Sequence, residues 1–587
     1  MNFQMKTHGG APAKTTAPLE AFQPADGDIA VDEAADFGYI LPPSSDANLY
    51  GDTISDADLD TLGSLMVPNS DVVETTPDAP LAPVMTYWGQ FLDHELTART
   101  DRESTITTIV NAAPLMTGTE IERRLKNART PRFDLDSVYG GVPIGTFPSE
   151  AAQKAATVLR TGLRHPTLTA KMRVGTAVPL GNLPDTLDPH RDLPRFHQVE
   201  QKVRDAALEI ARAQMNDDDF AKFEAGLPKR ALIGDMRNDE NIIIAQFHLS
   251  FLRFHNKVVD FLTENDTGWI PDFEAAKTLT TLHYQWLVVH GYLKEMCDPA
   301  VVQRIIDTRN SHYDMFRAEY AARNPGRVVG NVIPLEFSVA AFRFGHSMVR
   351  NIYDYNNTFG RPNGRAPFDQ IFAFTGGGGL GAGFGLNETN IPQNWIIDWS
   401  RFVNADGSFA DGEPQRVARA VDTVIAPPLG DLVNEGTDET QPQALRELFR
   451  HLARRNLRRG KSLRMPTGQA LHAHLQAIGA VTSGPQADAA SWVASKPDLA
   501  AFLSGHAMNS ATPLWFYILA EAEGAPGDGL GEMGSWIVAA TFIGALMDDA
   551  DSAFARGFDP SQSPLRTPSG DPIDSIENWM RFASVLA

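Results

Sequence analysis

The sequence predicts a mainly α-helical chain with few short strands and long loops. Three observations predict it: apolar residues recur every three to four positions along eight segments, strictly alternating runs are scarce, and Pro- and Gly-containing connections join the periodic stretches. After residue 28 no linker, repeat or low-complexity block is long enough to divide the chain. Residues 29–587 therefore read as one domain behind an arm, residues 1–28, rich in Ala, Pro, Thr and Gly and expected to be flexible.

The first periodic segment, 84–96, contains YWGQFLDHELT. On a helix Gln90, Asp93 and His94 share one face, because residues three or four apart are neighbours. Glu95 is turned about 100° away and faces something else. Next comes TPRFDLDSVYGG, 130–141. Its oxygen donors alternate, Thr130, the Arg132 carbonyl, Asp134 and Asp136, a pattern able to wrap a hard cation such as Ca²⁺.

Segment 197–227 carries helical periodicity alone, whereas 238–262 is opened by GDMRNDEN, with Arg237 and Glu240 three apart as a local ion pair on an amphipathic helix. After 274–296, segment 337–349 runs into FRFGHSMVRNIYDYN, 342–356, in which Arg343 precedes His346 by one turn. The glycine stretch TGGGGLGAGFG, 375–385, fits a dinucleotide fingerprint only loosely. It lacks the strand, turn and helix that fingerprint needs, so it reads as a surface loop.

Segment 442–457 runs into RRNLRRGK, where Asn456 and Arg459 share a face. In 468–478, His472 and His474 are two apart, point to different faces and do not form a metal pair. The last segment, 536–547, is apolar on all sides but too short to span a bilayer. Taken singly, each of these histidines and ion pairs has a plain structural explanation.

Composition excludes several functions. Of 587 residues, 43% are hydrophobic, and the formal net charge of −22 speaks against nucleic acid and anionic membranes, which need clustered positive charge. The single cysteine, Cys297, rules out an internal disulfide. The first residues hold no apolar core of a secretory signal, so a cytoplasmic location is the default and signal-independent secretion stays open.

Together and in this order, the motifs resemble the animal-type haem peroxidases of the peroxidase-cyclooxygenase superfamily, bacterial members included. The resemblance rests on the His94 segment, the calcium-type loop, Arg237 with Glu240, the FRFGH stretch and Asn456, spanning roughly residues 80 to 465. It implies a large single-domain helical haem peroxidase fold with haem b and Ca²⁺.

The resemblance also implies roles. His346 would ligate the haem iron, with Asn456 accepting a hydrogen bond from its other nitrogen. His94 would be the acid-base residue, Arg237 the stabiliser of developing negative charge, and Gln90 their pocket companion. Arg343 and Arg459 would meet the propionates. Asp93 and Glu240 would be the sites of ester links to haem, and Asn241, where the sulfonium-forming Met would stand, implies weak chloride oxidation. Glu95, in place of the usual Asp, would ligate calcium with Thr130, Arg132, Asp134 and Asp136.

The implied activity is reduction of hydrogen peroxide and, through a ferryl intermediate, oxidation of halide, thiocyanate or small aromatic reductants. Two alternatives stand beside it. A fatty-acid dioxygenase of the same superfamily would want a Tyr where Arg343 stands, and Tyr353 and Tyr355 do not fit that pattern. A non-catalytic haem-binding protein would not need the full set of distal residue types.

Overall fold

The computed structural model describes residues 35–44, 47–51, 53–68, 78–97, 116–127, 129–140, 149–179, 188–214, 217–327, 332–361, 363–376, 390–403, 416–433, 435–436 and 442–586, with the pieces 5–6 and 12–13. Almost all of the expected arm 1–28 and most of the glycine stretch 375–385 lie outside the described residues. What is described is mainly helical, as the periodicity predicts, and its buried apolar side chains form one continuous cluster.

Helix α1, Val84–Leu96, coincides with the first periodic segment. Gly89 sits where it does because a Cβ there would collide with the Tyr292 hydroxyl. Helix α2, Ile242–Glu264, is the central rod. It packs against α1, against the helix Phe273–Leu287 and against the helix Ile576–Phe582, with Phe91 stacked on Phe251 at 4.4 Å and Trp579 on Phe254 at 3.7 Å. These aromatic faces exclude water and set the separation of α1 from α2.

Helix α3, Leu452–Ser462, packs on the helix Asp56–Leu65 and on α4, Leu514–Gly524. Helix α5, Glu532–Met547, is buried on every side, consistent with its apolar periodicity all round. Among the described residues no helix is long and apolar enough to cross a membrane.

One small sheet joins distant parts of the chain. Strand β1, Ala35–Gly38, lies between β2, Lys126–Asn127, antiparallel, and β3, Val332–Pro334, parallel, with Phe37 opposite Ile333. Just past β3 the buried Glu336 accepts the N–H groups of Ile40 and Leu41.

Three expected helices are broken, each for a local reason. Segment 238–262 does not begin at Asn238: Met236–Asp239 form a 3-10 turn, and Asn241 caps α2 by accepting the N–H groups of Ile243 and Ile244. Segment 337–349 divides into the helix Leu335–Val339 and the 3-10 turn Ala341–His346, with Ala340 in a non-helical conformation between them. Segment 442–457 divides at His451, whose Nδ1 accepts the N–H of Arg454 and starts α3.

Candidate active site

The site gathers around a cleft of about 530 Å³, solvent included, lined by Tyr87, Gln90, Glu240, Asn241, His346, Glu435 and a set of apolar side chains from 349–452. Two of its walls come from motifs far apart in sequence, α1 with the Asn241 cap on one and the 3-10 turn bearing His346 on another.

On the α1 side, Gln90 donates to the Glu240 carboxylate and accepts from Asn241 Nδ2 at 3.1 Å. The amide is thus held from both ends. Arg237 and Glu240, expected to pair on a helix face, do not: Arg237 pairs with Asp235, and Glu240 accepts from Gln90. Glu240 lines the cleft, whereas Asp93 accepts the Thr97 hydroxyl at 2.8 Å at the end of α1 and is not among the cleft-lining residues described.

His94 is fully buried and its Nδ1 lies 2.7 Å from Asn238 Oδ1. Arg237 is engaged by three acceptors. Its Nη1 donates to the Thr97 carbonyl at 2.9 Å, its Nη2 to the His94 carbonyl at 3.0 Å, and it pairs with Asp235 at 2.7 Å. The reason is that the carbonyls ending α1 lack helical partners, and a guanidinium satisfies them. Arg237 therefore braces the helix end beneath His94.

On the other wall, Asn456 Nδ2 is 3.0 Å from His346 Nδ1, while Asn456 Oδ1 accepts from Arg459 Nη1 at 3.1 Å. This reverses the expected direction. A guanidinium can only donate, so the amide oxygen faces it and the amide nitrogen faces the histidine. Iron ligation through His346 Nε2 calls for the proton on Nδ1, and a half-turn of this amide would supply the acceptor while releasing a donor of Arg459. Arg343 donates through Nε to the Ser338 carbonyl at 3.0 Å.

Whether these residues suit an anionic, iron-bearing macrocycle is tested by Arg455, which the motif reading passed over. Its guanidinium is buried, none of its three nitrogens makes a hydrogen bond among the described residues, and its nearest acid is Glu435 at 3.3 Å. Arg455 and Arg459 are four apart on α3, and their helix also supplies Asn456. An imidazole, two buried guanidinium groups and a cleft with largely apolar walls form a donor set that fits haem with its propionates.

Behind His94 lies a separate acidic cluster. Oxygens of Glu95, Asp134 and Asp136 come within 4.8 Å of one another. Glu95 accepts the N–H of Leu135 at 2.8 Å and of Ser137 at 3.1 Å, which holds Leu135 at φ 59°. The longer Glu side chain, a departure from the usual Asp, thus reaches the loop. Burial and then repulsion from Asp136 raise Asp134 to about 7, and burial followed by Asp136 and Asp134 raises Glu95 well above its ordinary range. Buried like charges of this kind suit a divalent cation with oxygen preference. In the same loop the Arg132 N–H donates to the Thr130 carbonyl at 2.8 Å.

Arg129 connects this cluster to the other. It pairs with Asp136 at 2.8 Å and also with Asp235, the acid that holds Arg237. Burial works against the Asp235 carboxylate, yet Arg129 and Arg237 outweigh it and hold the group well below the usual carboxylate range. Gly234 permits the approach, since a Cβ there would strike the backbone oxygens of Asp136 and Ser137.

Other candidates resolve simply. His472 is a core histidine bonded to Tyr517 and Ser483, and Cys297 is a buried thiol whose ionisation burial pushes up. The residues missed from sequence are Asn238, His248 and Arg455. Only Arg455, adjacent to Asn456 in an unusually basic helix, left a visible trace.

A family model described as animal haem peroxidase matches residues 197–373. The peroxidasin homolog pxn-2 of Caenorhabditis elegans is 24% identical over 315 residues, 49% of this chain and 22% of that protein. The chain spans about a fifth of the length of the curated relatives it matches. Among solved structures, peroxidase A from Dictyostelium discoideum aligns with a TM-score of 0.54 at 14% identity, covering 94% of each chain. A fatty acid alpha-dioxygenase of Arabidopsis thaliana aligns with a TM-score of 0.51 at 13% identity, covering 99% of this chain and 83% of that one. At these identities the two structures speak for the fold alone.

Proposed function

The chain belongs to the animal-type haem peroxidase superfamily, and from that premise we propose that it is a haem-dependent peroxidase that reduces hydrogen peroxide and oxidises halide, thiocyanate or small organic reductants. The observation that carries this reading is the presence of two buried histidines, His94 and His346, each with Nδ1 against an asparagine, in the two motifs that meet at the cleft.

His346 would hold the haem iron through Nε2, and Arg455, Arg459 and Arg343 would receive the propionates. Bound haem would supply the iron at which peroxide is reduced and oxidising equivalents are stored. His94 would take a proton from hydrogen peroxide at Nε2 and return it to the departing oxygen, acting as base and then as acid. Gln90, fixed by Glu240 and Asn241, would orient peroxide or halide. Arg237, its donors committed to Asp235 and to the carbonyls of His94 and Thr97, would keep His94 in position. Glu95, Asp134 and Asp136 would hold Ca²⁺ behind the same helical turn, and Glu240, which lines the cleft, would be the candidate for an ester link to haem.

The test is the absorption spectrum of the haem-loaded protein before and after hydrogen peroxide. His94→Ala should retain haem and lose the spectral response, whereas His346→Ala should alter the starting spectrum. An unchanged response in His94→Ala would sink the assignment.

A fatty-acid dioxygenase reading has one feature in its favour. Tyr87 lines the cleft and packs edge-on to Tyr353 at 5.9 Å. Oxygen uptake with an unsaturated fatty acid, abolished by Tyr87→Phe, would replace the peroxidase reading.

A further inference from the structure

Three buried side chains stand in line behind the cleft: His94, Asn238 and His248, each fully enclosed. Asn238 turns Oδ1 to His94 Nδ1 at 2.7 Å and Nδ2 to His248 Nδ1 at 3.0 Å. An amide oxygen only accepts and an amide nitrogen only donates. The His94 nitrogen facing it must therefore carry a proton, and the His248 nitrogen facing it must be bare.

The backbone keeps this alignment. Asn238 lies in the 3-10 turn Met236–Asp239, with its own N–H bonded to the Asp235 carbonyl at 3.1 Å. His248 projects from the second turn of α2, whose start is fixed by the Asn241 cap. Its ring lies edge-on to Phe91 of α1, at 6.1 Å between centroids. Burial lowers His248 to about 3, so it stays neutral and keeps a lone pair with which to receive the amide.

We propose that His248, acting through Asn238, locks His94 as the Nδ1–H tautomer, so that its basic lone pair is always on Nε2. Asn238 and His248 are positioning residues. With the amide turned over, His94 Nδ1 would accept, Nε2 would carry the hydrogen, and the ring could not take a proton from peroxide at that nitrogen. A single amide orientation thus decides whether the histidine starts as base or as acid. The tautomer stands on geometry alone; its use in peroxide chemistry rests on the peroxidase reading above.

The decisive measurement is a long-range nitrogen–proton correlation spectrum of the full chain labelled with ¹⁵N-histidine, as purified and again after loading with a diamagnetic zinc porphyrin. Signals of His94 are identified by their loss in His94→Gln. The expected pattern is protonated-type Nδ1 and bare Nε2 for His94, with the opposite for His248; the reverse pattern overturns the proposal. His248→Leu should move the His94 shifts toward a mixture of tautomers, and His248→Gln, which keeps an acceptor for the amide, should restore them. Shifts unmoved in His248→Leu would also overturn it. In haem-loaded protein, Asn238→Leu should slow the reaction with hydrogen peroxide about 10–100-fold while haem affinity holds, and an unchanged rate counts against the positioning role. A wild-type protein inert to peroxide would defeat the peroxidase reading but leave the spectrum to decide the tautomer.

Discussion

Arg129 and Asp136 are ion-paired at 2.8 Å in the protein interior, and the same guanidinium also bonds Asp235. One buried cation therefore ties the candidate calcium loop to the acid that holds Arg237. Arg129→Gln should leave the buried Asp136 carboxylate without its cation and Asp235 with Arg237 alone, at a cost of about 3–5 kcal/mol. Denaturant unfolding of the variant against the parent checks it; a change within about 0.5 kcal/mol would mean that the pair is not stabilising.

Removal of divalent cation should act on the same loop. Chelation is expected to lower the melting temperature, with calcium restoring it, because Glu95, Asp134 and Asp136 would otherwise repel one another within 4.8 Å. Glu95→Gln should weaken the calcium response and also loosen Leu135, since its carboxylate accepts the N–H of both Leu135 and Ser137. A melting curve indifferent to chelator and to added calcium would remove the metal from the account.

Arg455 should matter for cofactor retention. Replacement by Leu removes a buried guanidinium beside Glu435, and haem should dissociate about tenfold faster than from the parent. Arg455→Lys keeps the charge without the planar fork and should fall between the two. Equal haem release from all three proteins would show that this arginine serves packing only.

Glu240 and Asp93 differ in placement, since only Glu240 lines the cleft. If haem becomes ester-linked, retention on denaturing, acidic chromatography should vanish in Glu240→Gln and persist in Asp93→Asn. Loss in the second variant alone would invert the assignment.

Burial lifts both Glu336 and Glu521 to about 7, although each accepts backbone N–H groups. The folded protein then holds protons that the unfolded chain has already released above its ordinary glutamate value. Stability is full below that value and falls as pH rises to about 7, by up to about 3 kcal/mol for each group. Urea midpoints at about pH 5 and about pH 8 test the slope, which Glu336→Gln should flatten. A midpoint that rises over this window in the parent and not in the variant would contradict the sign.

How much of this was legible in the sequence depends on whether a residue's role is local. Helix α1 was readable to its ends, because its apolar face and its polar triplet both follow from spacing along one helix. Glu95 likewise faced away from His94 as expected and joined Asp134 and Asp136. The partners of Arg237 were not legible, because the carbonyls of His94 and Thr97 are 143 and 140 residues away and no pattern announces them. Asn241 was readable only as a missing Met; its work as cap of α2 and as donor to Gln90 appears once the 3-10 turn before it is known. Asn456 was found, but the direction of its hydrogen bond turned on competition from Arg459. Asn238 and His248 left no trace, since a ten-residue separation across a turn matches no helical period.

The pairing of β1 with β3 bears on how the protein is made. Ile40 bonds Glu336 across 296 residues, and the parallel register of Asp36 to Gly38 with Val332 to Pro334 cannot form until Pro334 has been synthesised. Contacts of such high sequence separation are slow to close and leave strand edges exposed while they wait. His346 emerges from the ribosome only shortly after β3. The nascent chain thus gains its axial-ligand candidate at about the moment its sheet can close, before Arg455, Asn456 and Arg459 of α3 have been made.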